Sequence, residues 1–504
     1  MVARSNSVNS KIPPIISLFV VGAFFLIILG LLFPYIFVSS ADSILFGWIL
    51  IVMSVVSFLP IFRQLILGKF NLFALPVWTT VEQWLRMGFL SIYYYENPQG
   101  YNQLTQIFSA DGLKWFNLAA FYWTVSIPFL WIGYRSHLGQ WLGRVRPLHR
   151  IINYRPAVGI RLPAVAGVYI ILTCIRIYLV ATKKYGMLIL LNENEQAQEE
   201  FQVFAFTAQY LEIIGSLVAV VLLVHYVKFQ KYKKIILFFL IGVIFTEVGF
   251  RIVWGSKGLI IYFFIALATS YYMMTGRVVR YLALGFLILF ATIPLNLAYR
   301  QAINDNRVGG SAMNILSGIA NLGGEILGSS DRVTSSIKSG IYTAGEYSAQ
   351  LQNFAAIVKH FEEGREEHNY GKEWLKIPVM FVIPYFIWKN KPVYKYNGKW
   401  MMAEVYGKWK MKTYSIAVTI QGEYFIHFGV WGIMGGMFFL GVVHRILMER
   451  YWNVSDIYCL CVYQAIALAV GPGVIPSGSI AIIRLLVLLH IMGKIMLIRS
   501  PETN

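Results

Sequence analysis

Apolar runs too long for a soluble core constrain this chain more than any other feature. The stretch Ile15–Val38 (IISLFVVGAFFLIILGLLFPYIFV) carries no charge. At ~1.5 Å of rise per residue, such a helix crosses ~30 Å of hydrocarbon. It is longer than the apolar stretch of a secretory signal and lacks a small-residue cleavage pattern after it, so it reads as a retained span. Similar runs recur along the 504 residues, and only 13% of them are charged. A soluble protein carries about a quarter. The expected fold is an all-α polytopic membrane protein.

About twelve spans are expected, near residues 15–38, 43–62, 71–94, 115–134, 161–182, 203–227, 235–254, 258–274, 281–299, 424–444, 456–471 and 478–497. With the N-terminus inside, the inner loops hold twenty Lys and Arg. The short outer loops hold four: Lys114, Lys183, Lys184 and Lys257. Inner loops are the basic ones, so both termini are predicted to be cytoplasmic. This places much of the formal charge of +19 in loops, as an orientation signal rather than a nucleic-acid surface. The chain divides into spans 1–9 (residues 1–299), a large outward-facing loop (300–422) and spans 10–12 (423–504). Within the loop, Ser348–Glu367 patterns as an amphipathic helix, with Leu351, Phe354, Ile357, Val358 and Phe361 on one face. The apolar segment Trp374–Trp388 is too short to cross and reads as re-entrant or interfacial.

Strong cations stand inside or at the ends of the apolar runs: Arg86, Arg176, Arg251, Arg300 and Arg484. A charge at mid-bilayer costs roughly 2.5–3.5 kcal/mol even on the lenient insertion scale, so each is a functional candidate. Orientation places all five in the outer layer. The guanidinium fork suits phosphate oxygens and stays ionised when desolvated. Lys257, in Trp254-Gly255-Ser256-Lys257-Gly258, adds a cation at a helix start, where amides also favour anions. Together they read as a site for a lipid-borne diphosphate. Structural ion pairing and snorkelling would also account for any one of them.

Carboxylates share the outer half: Glu82, Glu212, Glu247 and Glu423. Glu423, with His427 one turn on, is the first candidate for a general base, and Glu247, one turn from Arg251, is the second. For Glu423 the structural alternative is an acid favoured by a helix N-terminus. No two Asp stand two apart, and the pair Glu193/Glu195 reads as a solvated face, so neither a metal nor a cofactor is expected. Cys174, Cys459 and Cys461 all lie in apolar runs and form no ligand cluster or disulfide framework. Between Tyr385 and Tyr414, aromatics including Trp388 and Trp400 interleave with lysines including Lys391. That stretch reads equally as a platform on which sugars stack and as a headgroup-level anchor.

Motifs in the C-terminal part sharpen this. Gly371, Ile383-Pro384-x-x-x-Trp388-x-x-Lys391-Pro392, Gly422-Glu423, Phe428-Gly429-x-x-Gly432 and Gly435-Gly436 follow one another. The series resembles the C-terminal half of Wzy-type oligosaccharide repeat-unit polymerases of O-antigen, capsule and exopolysaccharide assembly. Many relatives read I-P-R-x-x-W-P-x-K-P; here Tyr385 and Lys389 replace the Arg and the first Pro. The likeness spans roughly residues 245–445. It implies a GT-C-like helical fold in a bacterial inner membrane. It also implies a glycosyltransferase moving a growing glycan from one undecaprenyl diphosphate onto the next lipid-linked unit. The implied partners are those glycan substrates, membrane lipid and a chain-length regulator. A lipid-linked oligosaccharide flippase is the main non-enzyme rival; it would spread charge over the full depth of two similar halves. An O-antigen ligase shares the chemistry with a different acceptor.

The charge count generates a direct test. A cysteine placed at Asn397 should react with an impermeant thiol reagent added outside intact cells. Protection there, with efficient labelling in inverted vesicles, would reverse the topology.

Overall fold

The computed structural model describes residues 41–67, 71, 74–89, 112–144, 157–182, 185, 195–228, 233–254, 257–275, 350–377, 388, 394–396, 398–407, 418–451, 463 and 491–499. In chain order, the helices are α1 (Ala41–Ile66), α2 (Leu75–Gln83), α3 (Gly112–Arg135), α4 (His137–Arg144) and α5 (Leu162–Ala181). They continue with α6 (Glu195–Lys228), α7 (Lys233–Trp254), α8 (Lys257–Thr275), α9 (Leu351–Glu362) and α10 (Ile420–Tyr451). A π-helical segment, Trp84–Phe89, extends α2. Two short strands, β1 (Ala157–Ile160) and β2 (Leu497–Arg499), pair antiparallel.

The protein is predominantly helical, and six of its described helices contain stretches long and apolar enough to cross a membrane: Gly47–Ile66, Lys114–Arg135, Leu162–Ala181, Leu211–Lys228, Lys233–Trp254 and Ile420–Tyr451. Each coincides with an expected span. The expected spans 15–38 and 281–299 lie outside the described residues, as do 456–471 except Tyr463 and the part 478–490 of the last span. Two expectations change. The predicted span 71–94 is, where described, a nine-residue α-helix that widens into a π-helical turn. Its Arg86 carbonyl accepts the Gln350 N–H (2.9 Å) just before α9, so this main chain serves a tertiary contact. The chain is also not purely helical. Residue 497, the expected end of the last helix, pairs with Ile160 in the two-stranded ladder. That ladder ties 157–160 to 497–499 within the second unit.

Two compact units result. The first comprises the described parts of Met1–Arg146 and Thr343–Arg450, and the second those of Pro147–Tyr342, Tyr451–Ala469 and Ile482–Asn504. The described part of the large loop is therefore no separate body, because α9 belongs to the first unit, where it packs on α3. Every residue of α9 from Leu351 to Phe361 is buried, the polar face included. That face meets polar partners inside: Tyr406 donates to Asn353 Oδ1 (2.7 Å), and His360 Nε2 lies 3.6 Å from Glu366. Its two-sided pattern thus marks a core helix with internal polar partners rather than one lying on a surface.

In the first unit α3 crosses α10 at backbone contact. A Cβ on Gly441 would overlap the Leu130 carbonyl, and one on Gly133 the Phe438 carbonyl. Glycines at such crossings let two backbones approach where lipid supplies no hydrophobic drive for association. Gly441→Ala should therefore destabilise the protein by about 1–3 kcal/mol through overpacking. Gly435→Ala, on the same helix with open space around its Cβ, should leave stability unchanged or improve it. Thermal unfolding in detergent distinguishes the two; equal effects would refute the close crossing.

Candidate functional site

Two polar clusters are sealed within apolar packing, one in each unit. In the second unit the inward stripe of α7 runs Ile236, Leu240, Val243, Glu247 and Arg251. The matching stripe of α5 runs Val165, Tyr169, Leu172, Arg176 and Leu179. Helical periodicity thus carries ionic groups onto faces that begin apolar. Outside, Phe238 is 82% exposed and Phe245 74%, while Arg176 and Glu247 are both at 0%. Apolar groups outside and charges inside are the arrangement expected of hydrocarbon surroundings.

The charges form a closed set. Arg176 Nη1 lies 2.5 Å from Glu247 Oε1 and its Nη2 3.3 Å from Glu212; Arg251 Nη1 lies 2.5 Å from Glu247 Oε2 and 3.4 Å from Glu212. Arg176 also donates to the Leu211 carbonyl, and Arg251 to the Ser216 hydroxyl (2.7 Å) and the Glu212 carbonyl (2.9 Å). Tyr185 donates to Glu212. A Cβ at Gly215 would overlap the Glu247 carboxylate, so that glycine makes the space the set occupies. Arg251 and Arg176 further stack over Phe263 and Phe250, at 4.4 and 5.1 Å from the ring centroids. Two cations and two anions are thus paired within the set. The alternative of structural ion pairing describes Arg176, Arg251 and Glu247 in this structure.

The first unit holds the other cluster. Thr419 opens α10 with its hydroxyl on the Gly422 N–H (2.9 Å), a normal helix cap. Glu423 follows in the first turn, 1% exposed. The helix then breaks. Phe428 leaves helical geometry, and Gly429 takes φ +61°, ψ −147°, a conformation essentially reserved for glycine. The carbonyls of Ile426 and His427 are taken up by the N–H groups of Asn369 (3.2 Å) and Tyr370 (2.8 Å). Gly371, at φ +78°, turns that segment against Phe428.

Around the break, Trp374 Nε1 and the Tyr394 hydroxyl donate to Glu423 Oε1 at 3.3 and 3.1 Å. Tyr394 also meets His427 Nε2 at 3.0 Å, and the Trp374 ring lies 4.5 Å from the His427 ring. Glu423 Oε2 and His427 Nδ1 are buried without a hydrogen-bond partner among the described residues. Burial, and then the facing Glu423 carboxylate, hold the Tyr394 phenol above its ordinary range, so it remains a donor. The structure therefore brings Glu423 and His427 together through a residue that the sequence reading left among the aromatics. No local signal links Tyr394 to Glu423, because they are far apart in sequence.

The other candidates are distributed as follows. Arg86 pairs with Glu82 at 2.6 Å and is partly exposed, in the same unit as Glu423. Its segment reaches α10 through Gln421, which donates to Gln83 (2.7 Å). Lys257 begins α8. Trp388 is 41% exposed, whereas Trp400, 6% exposed and edge-on to Tyr396 and His360, is a core residue rather than part of an open platform. Arg300, Arg484 and Lys391 lie outside the described residues. Among the described residues, no three His, Cys, Asp or Glu side chains converge as a metal site would require.

Fold and sites together define a predominantly helical protein with segments long and apolar enough to cross a membrane, holding a buried ion quartet and a carboxylate–phenol–imidazole chain at a helix break. Comparison with protein-family models, with curated proteins and with solved structures finds no match.

The quartet generates a stability prediction. Glu247→Gln leaves a buried cation uncompensated and should cost about 3–5 kcal/mol in detergent unfolding, as loss of one partner of a buried pair does. Parent-like stability would free Glu247 and its arginines for another role.

Proposed function

We propose that the protein is a membrane glycosyltransferase of the outer leaflet, extending a glycan carried on undecaprenyl diphosphate by transferring it to the next lipid-linked repeat unit. The observation that carries this reading is Glu423: a buried carboxylate at a broken helix, with one oxygen held by two donors and the other without a partner among the described residues. A helix broken at membrane depth is tolerated where it is buried in protein or lines a cavity. The resemblance of the surrounding motifs to repeat-unit polymerases supports the same reading.

The chemistry divides between two tasks. A departing diphosphate is a weak base and needs charge stabilisation more than protonation, which positioned cations supply. Arg86, in the same unit as Glu423, is a candidate outside the ion quartet. The acceptor hydroxyl needs a group to take or orient its proton as it attacks the anomeric carbon. Glu423 Oε2 is that group.

Proteoliposomes supplied with undecaprenyl-diphosphate-linked repeat units, extracted from host cells lacking this chain, test the reading. The parent protein should lengthen the glycan. Glu423→Gln keeps the side-chain size and should lower turnover by ~10²–10⁴-fold, the worth of a positioned acid or base. Chelation by EDTA should leave the rate unchanged. A rate abolished by EDTA but untouched by Glu423→Gln would overturn both the base and the metal-free mechanism.

A further inference from the structure

The two oxygens of Glu423 differ in their surroundings, and the difference has a definite source. We propose that Tyr394 is the positioning residue of this site: it fixes Glu423 Oε1 and leaves Oε2 as the single oxygen that receives the acceptor's proton. The inference rests on the glycosyl-transfer reading above.

Tyr394 comes from outside α10, on the segment 394–396. Its hydroxyl lies 3.1 Å from Glu423 Oε1 and 3.0 Å from His427 Nε2. A phenol has one hydrogen to donate and lone pairs to accept with. When His427 carries its proton on Nε2, it donates to Tyr394, and the phenol hydrogen is directed to Glu423 Oε1. His427 thereby orients the phenol, and the phenol orients the carboxylate. Trp374 Nε1 donates to the same oxygen (3.3 Å), so both donors converge on Oε1 and, among the described residues, Oε2 has none.

The segment bearing Tyr394 is clamped. The Lys395 N–H donates to Glu373 Oε2 (3.2 Å), its ammonium meets Glu366 (2.6 Å), and the Tyr396 hydroxyl donates to Glu366 (2.9 Å). Glu373 is itself held by Lys376 and by its own N–H on Asn369 Oδ1 (2.9 Å). These contacts hold the chain directly after the phenol, so the hydroxyl stays within reach of Glu423. Such pre-set orientation is worth rate, because a group held in reacting geometry loses little freedom at the transition state.

The step balances. The acceptor O–H bond breaks and its proton moves to Glu423 Oε2, while the oxygen's electron pair forms the bond to the anomeric carbon. The bond from that carbon to the diphosphate oxygen breaks, and its electron pair leaves with the diphosphate. Tyr394 keeps its own proton throughout, which separates it from a catalytic residue.

A double-mutant cycle tests this with the same extracted lipid-linked units in proteoliposomes. Tyr394→Phe removes one hydroxyl and keeps the ring. It should lower kcat by roughly ten- to a hundredfold with little change in KM, because it acts on the transition state rather than on binding. In a Glu423→Gln background the same change should cost nothing further, since residues that act as a unit are not additive. Parent-like kcat in Tyr394→Phe, or losses that multiply in the double variant, would overturn the inference while leaving Glu423 in its role. If the parent protein extends no glycan, the glycosyl-transfer reading fails separately, and infrared spectroscopy of the detergent-solubilised protein decides the positioning. The carboxyl stretching band lost in Glu423→Gln should shift in Tyr394→Phe. A band that does not move would show that Tyr394 does not hold Glu423.

Discussion

A charge surrounded by hydrocarbon must find its counter-charge within the protein, and the second unit is organised around that requirement. Arg176, Glu212, Glu247 and Arg251 come from three helices, α5, α6 and α7. None can be moved alone without stranding another, since Glu247 bridges both arginines and Glu212 faces both. The quartet therefore fixes how those three helices rotate against one another. Apolar stripes alone specify rotation weakly where lipid is as apolar as the core. Gly215 supplies the room, and Tyr185 and Ser216 add hydrogen bonds that the carboxylates and guanidiniums need in a dry interior. Replacing such a set by packed apolar residues is often neutral in stability elsewhere. Here its worth lies in selecting one packing.

The first unit spends its irregularity differently. A helix crossing a membrane uninterrupted has no free backbone groups to offer. The break at Phe428–Gly429 frees carbonyls that bind the segment 369–370, and so draws part of the large loop onto α10. Gly422 deepens this approach, because a Cβ there would press on Ile357 of α9 at 2.6 Å. Glu423, Trp374, Tyr394 and His427 meet where these pieces converge. Helix break, loop docking and buried carboxylate are one construction.

Much of this was legible in sequence for definite reasons. Span positions follow from run length, which the bilayer thickness dictates, and six described helices at those positions are long and apolar enough to cross. The Glu247–Arg251 pair is a one-turn spacing on a helix, readable as an ion pair without coordinates. Glycines quoted as motif, Gly371 and Gly429, prove to need left-handed backbone, a requirement that residue identity alone signals. Other features were not legible. The pattern of α9 suggested one wet face, yet a polar residue buried against Tyr406 or Glu366 has the same sequence as one facing water. The π-helical widening after Gln83 and the pairing of 157–160 with 497–499 depend on distant partners, to which local patterns are blind.

Sequence by itself determined that this chain is helical and apolar enough to cross a membrane, and which charged residues would need explaining there. Those follow from composition and period, which are properties of each segment alone. Tertiary structure decided what each charge does. It closed Arg176 and Arg251 onto Glu212 and Glu247, and it left Glu423 with one oxygen held and one unpartnered. Such decisions turn on contacts of about 3 Å between residues remote in the chain, and no segment read alone contains them.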